Sequence, residues 1–262
     1  MGDRLPDKRI SRRGLLRQVA SVGAGLAGLA LVGCDEQQQA PILATVQGTP
    51  TREVSTPMVQ EMRVVALPVP RLKGETSLEE AISRRRSRRE FRGSPLTLEQ
   101  VSQILWAAQG ITNGEGRRAA PSAGALYALD LYVAAGGQAV GGLTEGVYHY
   151  DPQGHSLERT LEGDARPTLA QLAVQAFIAE APVVLIVTGE YERPSGKYGD
   201  RATRYVHMEA GHAAQNVYLQ AEALGLGTVV AGSFQDDAVA QALSLPAAYR
   251  PMYIMPIGYP AV

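Results

Sequence analysis

The chain has 262 residues, of which 45% are hydrophobic, so it can bury one substantial core or two small ones. Lysine and arginine total 25 while aspartate and glutamate total 26, so no overall positive charge is available to attract nucleic acid. The single cysteine, Cys34, excludes an internal disulfide and a metal site built from several cysteines.

The N-terminal segment has the order of parts found in an export signal. Arg12 and Arg13 precede a weakly hydrophobic run that ends at Cys34 in the letters LVGC. The run holds about fourteen apolar residues, fewer than the roughly 20 needed to span a bilayer. The arginine pair resembles a twin-arginine export signal, and LVGC resembles a bacterial lipobox, whose cysteine is lipidated. The alternative is an amphipathic helix with a buried cysteine.

These patterns predict a lipoprotein signal over residues 1–34 and a tether over residues 35–74, followed by one globular domain over 75–262. The tether is rich in Gln, Pro and Thr, with one extended piece around MRVVALPVP. We therefore expect an exported protein, anchored by a lipid on Cys34 at the periplasmic or extracytoplasmic face of the cell envelope. Because the twin-arginine route carries folded proteins, the resemblance also implies a tightly bound cofactor.

Capping signals and apolar periods predict the elements of the domain. Ser77 with Glu80 opens a helix that is expected to run into the arginine cluster of residues 84–89. Thr97 with Gln100 opens a second helix that ends at Gly110. Further helices are expected over 168–178, 203–224 and 236–245, and strands over 129–135, 146–151, 155–159, 182–189, 228–232 and 252–258. Hairpins together with crossovers favour an α+β fold with a mixed sheet.

The letters RRRSRREF, from Arg84 to Phe91, concentrate positive charge in a chain that is nearly neutral. On the predicted helix Arg85 and Arg89 would share one face, and guanidinium groups bind a phosphate bidentately, with the Ser87 hydroxyl as a further donor. A solvated helix end is the open alternative. A nucleic-acid patch conflicts with the export signal.

Two further stretches contain small residues where a flat ligand could approach the backbone. Pro121, Ser122, Ala123 and Gly124 lie just before a predicted strand. The letters LGLGTVVAGSF, over 224–234, combine a helix end, a strand and Gly232, but they do not match the dinucleotide-binding pattern G-x-G-x-x-G.

Taken together, RRSRREF, PSAGALY and EAGHAAQNVYLQAEALGLG resemble the nitroreductase superfamily of flavin enzymes, from about Leu67 to the C-terminus. PSAGALY, GVYHYD and KYGDRATRY resemble its SagB-type dehydrogenase branch, known for oxidising peptide azolines to azoles. The resemblance implies a homodimer of α+β nitroreductase fold, with a mixed, mostly antiparallel sheet flanked by helices and FMN at the subunit interface. One departure is Ala128, where the family has proline.

The resemblance also assigns residues. Arg85, Arg86, Ser87 and Arg89 would hold the FMN phosphate, and Pro121, Ser122, Ala123 and Gly124 would border the flavin ring from the partner subunit. Val230, Ala231 and Gly232 would lie near the ring, where a backbone N–H can donate to N5.

Lys197 and Tyr198 are the predicted catalytic pair. In the azoline-oxidising branch a Lys-Tyr pair at this place removes a proton from the substrate while hydride passes to the flavin. A partly desolvated lysine can be neutral near pH 7, and a phenol can relay a proton. The alternative is a solvated lysine in an exposed loop.

The resulting prediction is an FMN-dependent dehydrogenase or oxidase that takes hydride from a small organic or peptide substrate. The alternatives are an NAD(P)H-dependent nitro or quinone reductase and a flavin-binding lipoprotein without turnover. No metal site is predicted, because His207 and His212 are five residues apart and point in different directions on a helix.

Overall fold

The computed structural model describes residues 64–261. The predicted signal, its lipobox and most of the predicted tether therefore lie outside the described residues. The helices are α1 Leu78–Arg84, α2 Leu98–Gln109, α3 Arg166–Ala173, α4 Phe177–Glu180, α5 Glu192–Tyr198, α6 Ala202–Ala223 and α7 Asp236–Ala242. The strands are β1 Val64–Ala66, β2 Phe91–Arg92, β3 Leu129–Ala135, β4 Gly146–Asp151, β5 Ser156–Glu162, β6 Val183–Glu190, β7 Gly227–Thr228 and β8 Tyr249–Pro260.

The eight strands form one sheet in the order β1-β5-β4-β3-β6-β8-β2, with β7 also pairing with β8. Each of the strand ladders is antiparallel. Parallel pairing in the described residues is confined to isolated bridges, Ser87 with Thr228 and Leu96 with Val140. The predicted α+β fold, with a mostly antiparallel sheet and flanking helices, is confirmed.

The two central strands, β3 and β6, are covered on both faces, which explains why their sequences are apolar throughout. In β3 the side chains alternate with the period of two that a strand imposes. Leu131 and Val133 join the cluster under α2 and α6, whereas Tyr132 and Ala134 join the cluster under α3, α4 and α7. The helices therefore lie in two layers around the sheet.

The predicted capping signals are largely confirmed. Thr97 and Gln100 form a complete capping box at the start of α2, which ends at Gly110 as expected. Ser77 caps α1 by accepting a hydrogen bond from the Glu80 N–H. The reciprocal half of that capping box is replaced by an ion pair of 2.5 Å between Glu80 and Arg84.

Two expected elements differ in the structure. The helix predicted over 168–178 is divided into α3 and α4, because Val174 adopts a left-handed conformation (φ 54°) and ends α3. The strand predicted over 228–232 is reduced to the two-residue β7, although Ala231 still forms a bridge with Ile254.

The last part of the predicted tether packs on the domain. β1 pairs with β5, and the Pro68 carbonyl accepts a hydrogen bond from the Ser102 hydroxyl and lies 3.0 Å from Nε2 of His155. Gln103 of α2 exchanges two hydrogen bonds with the backbone of Arg71. Residues 64–70 of the extended piece expected around MRVVALPVP thus belong to the folded unit. None of the described helices is both long and apolar enough to cross a membrane.

Candidate active site

The arginine cluster is extended rather than helical. α1 ends at Arg84, and Arg85 has an extended ψ of 121°. Ser87 forms a parallel bridge with Thr228, and the Arg88 N–H donates to the Thr228 carbonyl at 2.9 Å. The prediction that Arg85 and Arg89 share one helix face is therefore wrong, because the backbone pairs with the segment after α6 instead of continuing the helix.

The guanidinium groups of this segment have few acidic partners. Arg84 is paired with Glu80, and Arg86 donates to the Ser83 and Arg85 carbonyls. Within residues 64–261, none of the ion pairs involves Arg85, Arg86 or Arg89. Arg85, Arg86 and Arg89 thus have no carboxylate partner in this part of the chain, and such guanidinium groups are suited to bind an anion such as a phosphate.

Tyr218 of α6 joins the arginine segment to the segment after β7. Its hydroxyl accepts a hydrogen bond from the Val230 N–H at 2.9 Å and lies 3.3 Å from the Ser87 hydroxyl. The Arg85 guanidinium lies over its ring, 5.2 Å from the centroid. The local sequence contains no signal for this role, since Ser87 is 131 positions away along the chain.

The backbone N–H groups of Val230, Ala231 and Gly232, the residues predicted to lie near the flavin ring, differ in their hydrogen bonds. The N–H of Val230 is donated to Tyr218, and that of Ala231 is donated to the Ile254 carbonyl. In the described part of the chain the N–H of Gly232 makes no hydrogen bond. Gly232 is also exposed, so its N–H is the one of the three that can serve a ligand.

The structure brings Gly124 together with Lys197 and Tyr198. A Cβ atom at Gly124 would lie 2.7 Å from the Tyr198 hydroxyl and 2.9 Å from Nζ of Lys197. Gly124 also has a φ of 63°, which favours glycine. The amine of Lys197 and the phenol of Tyr198 therefore face the same point on the PSAG loop, residues 121–124. Only glycine leaves this point open.

Lys197 and Tyr198 lie at the end of helix α5, not in an irregular loop. Nζ of Lys197 is 5.4 Å from the centroid of the Tyr198 ring, which in turn packs edge-on against Tyr205. Lys197 is exposed in the single subunit, so the desolvation expected for a catalytic lysine is not present there.

The predicted site residues form two groups along α6. Tyr218 contacts the arginine segment, while Glu209 contacts the PSAG loop through Ser122. Nine residues of α-helix separate these contacts by roughly 13 Å. Among residues 64–261, no group of three or more His, Cys, Asp or Glu side chains is arranged to hold a metal ion.

Comparison with known proteins identifies the family. A model of the nitroreductase family matches residues 82–259, which include both groups of site residues. The chain belongs to the nitroreductase family. It is 49% identical over 185 residues to a protein of Methanocaldococcus jannaschii that is named as a nitroreductase, covering 70% of this chain and 91% of that protein.

Two solved structures show the same fold. A nitroreductase of Ralstonia eutropha JMP134 is 33% identical with a TM-score of 0.68, over 76% of this chain and 90% of the other. The NADPH:FMN oxidoreductase of Vibrio harveyi is 26% identical with a TM-score of 0.50, over 71% and 69%.

A further relative is named for peptide processing. The microcin B17-processing protein of Escherichia coli is 28% identical over 155 residues, or 57% of each chain. This nitroreductase-family oxidoreductase therefore has relatives named for nitro reduction and for peptide processing.

Proposed function

We propose that the protein is an FMN-dependent dehydrogenase that takes hydride from a small organic or peptide substrate. The observation that carries the proposal is the convergence of Lys197 and Tyr198 on Gly124. Transfer of hydride from a nicotinamide to a flavin releases no proton, so that half-reaction needs no proton-accepting group. An enzyme that desaturates its substrate must remove a proton as well as a hydride.

The residues present fit FMN. Arg85, Arg86 and Arg89 offer guanidinium groups without carboxylate partners, and Ser87 adds a hydroxyl, as a phosphate monoester requires. Gly232 offers an unused backbone N–H. When bound, FMN would supply a two-electron hydride acceptor.

Lys197 and Tyr198 would handle the proton. As the substrate gives up a hydride, the proton released from it passes to the Tyr198 oxygen or the Lys197 nitrogen, so the substrate loses two electrons and two hydrogens. Oxygen or a quinone would then accept the two electrons.

The peptide-processing relative supports a peptide substrate, and azoline oxidation is the specific reaction of the SagB-type branch that the motifs resemble.

The principal alternative is an NAD(P)H-dependent nitro or quinone reductase, which the names of the M. jannaschii and V. harveyi proteins favour. A flavin-binding lipoprotein without turnover is the remaining alternative.

Location is part of the proposal. We infer that the twin-arginine-like signal and Cys34 place the protein outside the cytoplasm, anchored by a lipid. NAD(P)H is scarce there, which favours oxidation of a substrate over reduction by a nicotinamide. Peptide-tailoring enzymes usually work beside partner enzymes in the cytoplasm, so an anchored copy points to another small organic or peptide substrate.

The first experiment is a visible absorption spectrum of the purified protein, followed by anaerobic mixing with NADPH or with a synthetic thiazoline peptide. We expect flavin absorption, slow bleaching by NADPH and faster bleaching by a substrate that the enzyme oxidises. Fast bleaching by NADPH would replace the proposal with the reductase alternative. A colourless protein that does not bind added FMN would remove the cofactor from the proposal.

We further propose a homodimer in which α6 faces its counterpart. Gly211 lies in the middle of α6 on its exposed face, and a Cβ there would meet nothing within 4 Å. The subunit alone therefore has no need of glycine, which costs about 1 kcal/mol in a helix relative to alanine. Close approach of a second subunit accounts for it, and such a dimer would place the PSAG loop of one subunit near the arginines of the other.

Replacing Gly211 with arginine should convert the dimer to a monomer, because the side chain would occupy the space of the opposing helix. Analytical ultracentrifugation at micromolar concentration measures the change, and Gly141→Arg, at another open glycine, is the matched control. A dimer that persists in Gly211→Arg would show that α6 does not form the interface.

A further inference from the structure

Glu209 is a buried acid that the proposed chemistry does not use. It lies in α6 with only 3% of its surface exposed. Oε2 accepts a hydrogen bond of 2.6 Å from the Ser122 hydroxyl, whereas Oε1 has no hydrogen-bond partner among the described residues. Burying a carboxyl group is unfavourable, so its position on this helix calls for a compensating role.

The direction of the hydrogen bonds around Ser122 is fixed. The Tyr127 N–H can only donate, and it donates to the Ser122 oxygen at 2.8 Å. The single proton of the Ser122 hydroxyl is therefore available to Glu209. Tyr127, Ser122 and Glu209 form a chain of two hydrogen bonds that closes the loop and ties it to α6.

The loop that is tied in this way is strained. Gly124, Ala125 and Tyr127 all have left-handed backbone conformations, with φ values of 63°, 55° and 50°. For a residue other than glycine this conformation costs roughly 1–2 kcal/mol. Such a loop keeps its shape only where its surroundings hold it.

Two arginines hold the end of the loop without touching its crest at Gly124. A guanidinium nitrogen of Arg193 donates to the Tyr127 carbonyl, and the Arg118 N–H donates to the Tyr127 hydroxyl. The link through Ser122 therefore fixes the segment containing Gly124 to α6.

The surroundings of Glu209 contain opposing influences on its pKa. Burial raises the pKa of the carboxyl group, while the Ser122 hydroxyl, the nearby N–H groups of Ala128 and Leu129 and the Arg118 guanidinium act in the opposite direction. In either protonation state Oε2 can accept the proton of Ser122. Glutamine can make the same contact through its amide oxygen, and alanine cannot.

We propose that Glu209 is a positioning residue that acts through Ser122 to hold Gly124 against Lys197 and Tyr198. Its importance for catalysis rests on the proposed function, but the positioning itself is a property of the folded chain. Loss of the contact should let the loop relax, so that the lysine and the phenol no longer face a common point.

The lysine content of the chain makes the test direct. Only Lys8, Lys73 and Lys197 are present, so the full-length protein labelled with ¹³C-lysine gives three Cε signals. Lys197→Arg assigns its signal, and exposed Lys73 provides the reference for a solvated side chain. Contact with the loop at Gly124, together with the ring of Tyr198, should move the Lys197 signal away from that reference.

In Glu209→Ala and Ser122→Ala the Lys197 signal should shift towards that of Lys73, while Glu209→Gln should keep the wild-type position. Glu222→Ala, on the same helix, is the matched control. A folded Glu209→Ala protein with an unchanged Lys197 signal would overturn the proposal, as would an equal shift in Glu209→Gln. If Glu209→Ala does not fold, Ser122→Ala decides by the same criterion.

FMN titration of the same variants separates this inference from the proposed function. The affinity for FMN should fall about tenfold in Glu209→Ala and remain in Glu209→Gln. A wild-type protein that does not bind FMN would contradict the proposed function, while the lysine signals would still report on the position of the loop.

Discussion

Replacing Arg85 and Arg89 together with alanine should weaken FMN binding by at least about 100-fold, because each charge-assisted hydrogen bond to a phosphate contributes roughly 1.5–3 kcal/mol. Riboflavin, which lacks the phosphate, should bind the variant and the wild type almost equally. Quenching of flavin fluorescence measures both affinities. The comparison of the two ligands isolates the phosphate from any general change in the fold.

The matched control is the double variant Arg84→Ala with Arg117→Ala. It removes the same charge, but from arginines that are already paired, with Glu80 and Glu115. FMN affinity should stay within a factor of two or three, since exposed ion pairs contribute about 0–1 kcal/mol. If the affinities of Arg85→Ala with Arg89→Ala for FMN and for riboflavin fell equally, the arginine segment would be a solvated surface and not a phosphate site.

Lys197→Ala with Tyr198→Phe should reduce the rate of substrate oxidation by about 100-fold or more, the range that a proton-transfer group contributes. The measurement is the rate at which a thiazoline peptide bleaches the bound flavin in anaerobic stopped flow. Any other substrate that the enzyme is found to oxidise can replace the peptide. FMN affinity should be unchanged, because neither side chain belongs to the arginine segment.

NADPH provides an internal comparison for this double variant. A nicotinamide gives up hydride without releasing a proton, so any reduction by NADPH should survive the two substitutions. Tyr205→Phe, which keeps the ring packed against Tyr198, is the control. Normal oxidation of a substrate by the double variant would show that the proton leaves by another route.

Local sequence signals predicted much of the fold. The Thr97 capping box, the hairpin of β4 and β5 and the apolar run of β6 depend on residues close to one another in the chain, and each is found in the structure. Val174 could not be anticipated, because a β-branched residue is among the least typical in a left-handed conformation.

The candidate site was predicted residue by residue from the family resemblance, but its geometry was not. The arginine segment is extended because its backbone pairs with Thr228, which is remote in sequence. Tyr218 and Glu209 were missed for the same reason: on α6 each is simply one more residue of a long helix. Their partners, Ser87 and Ser122, become visible only when the sheet has brought the segments together.

The outer edge of β8 has a consequence for the order of folding. One edge of β8 pairs with β6, and the other is covered by short pieces: β2, β7 and the bridge between Ala231 and Ile254. The segments that carry the arginines and Gly232 are thus held by β8, which is more than 150 residues away from the arginines in the sequence. Closing such distant pairs is slow, since the entropy of a long loop must be overcome first. We therefore expect the arginine segment to dock onto β8 late in folding, so that binding of FMN would report a completed sheet.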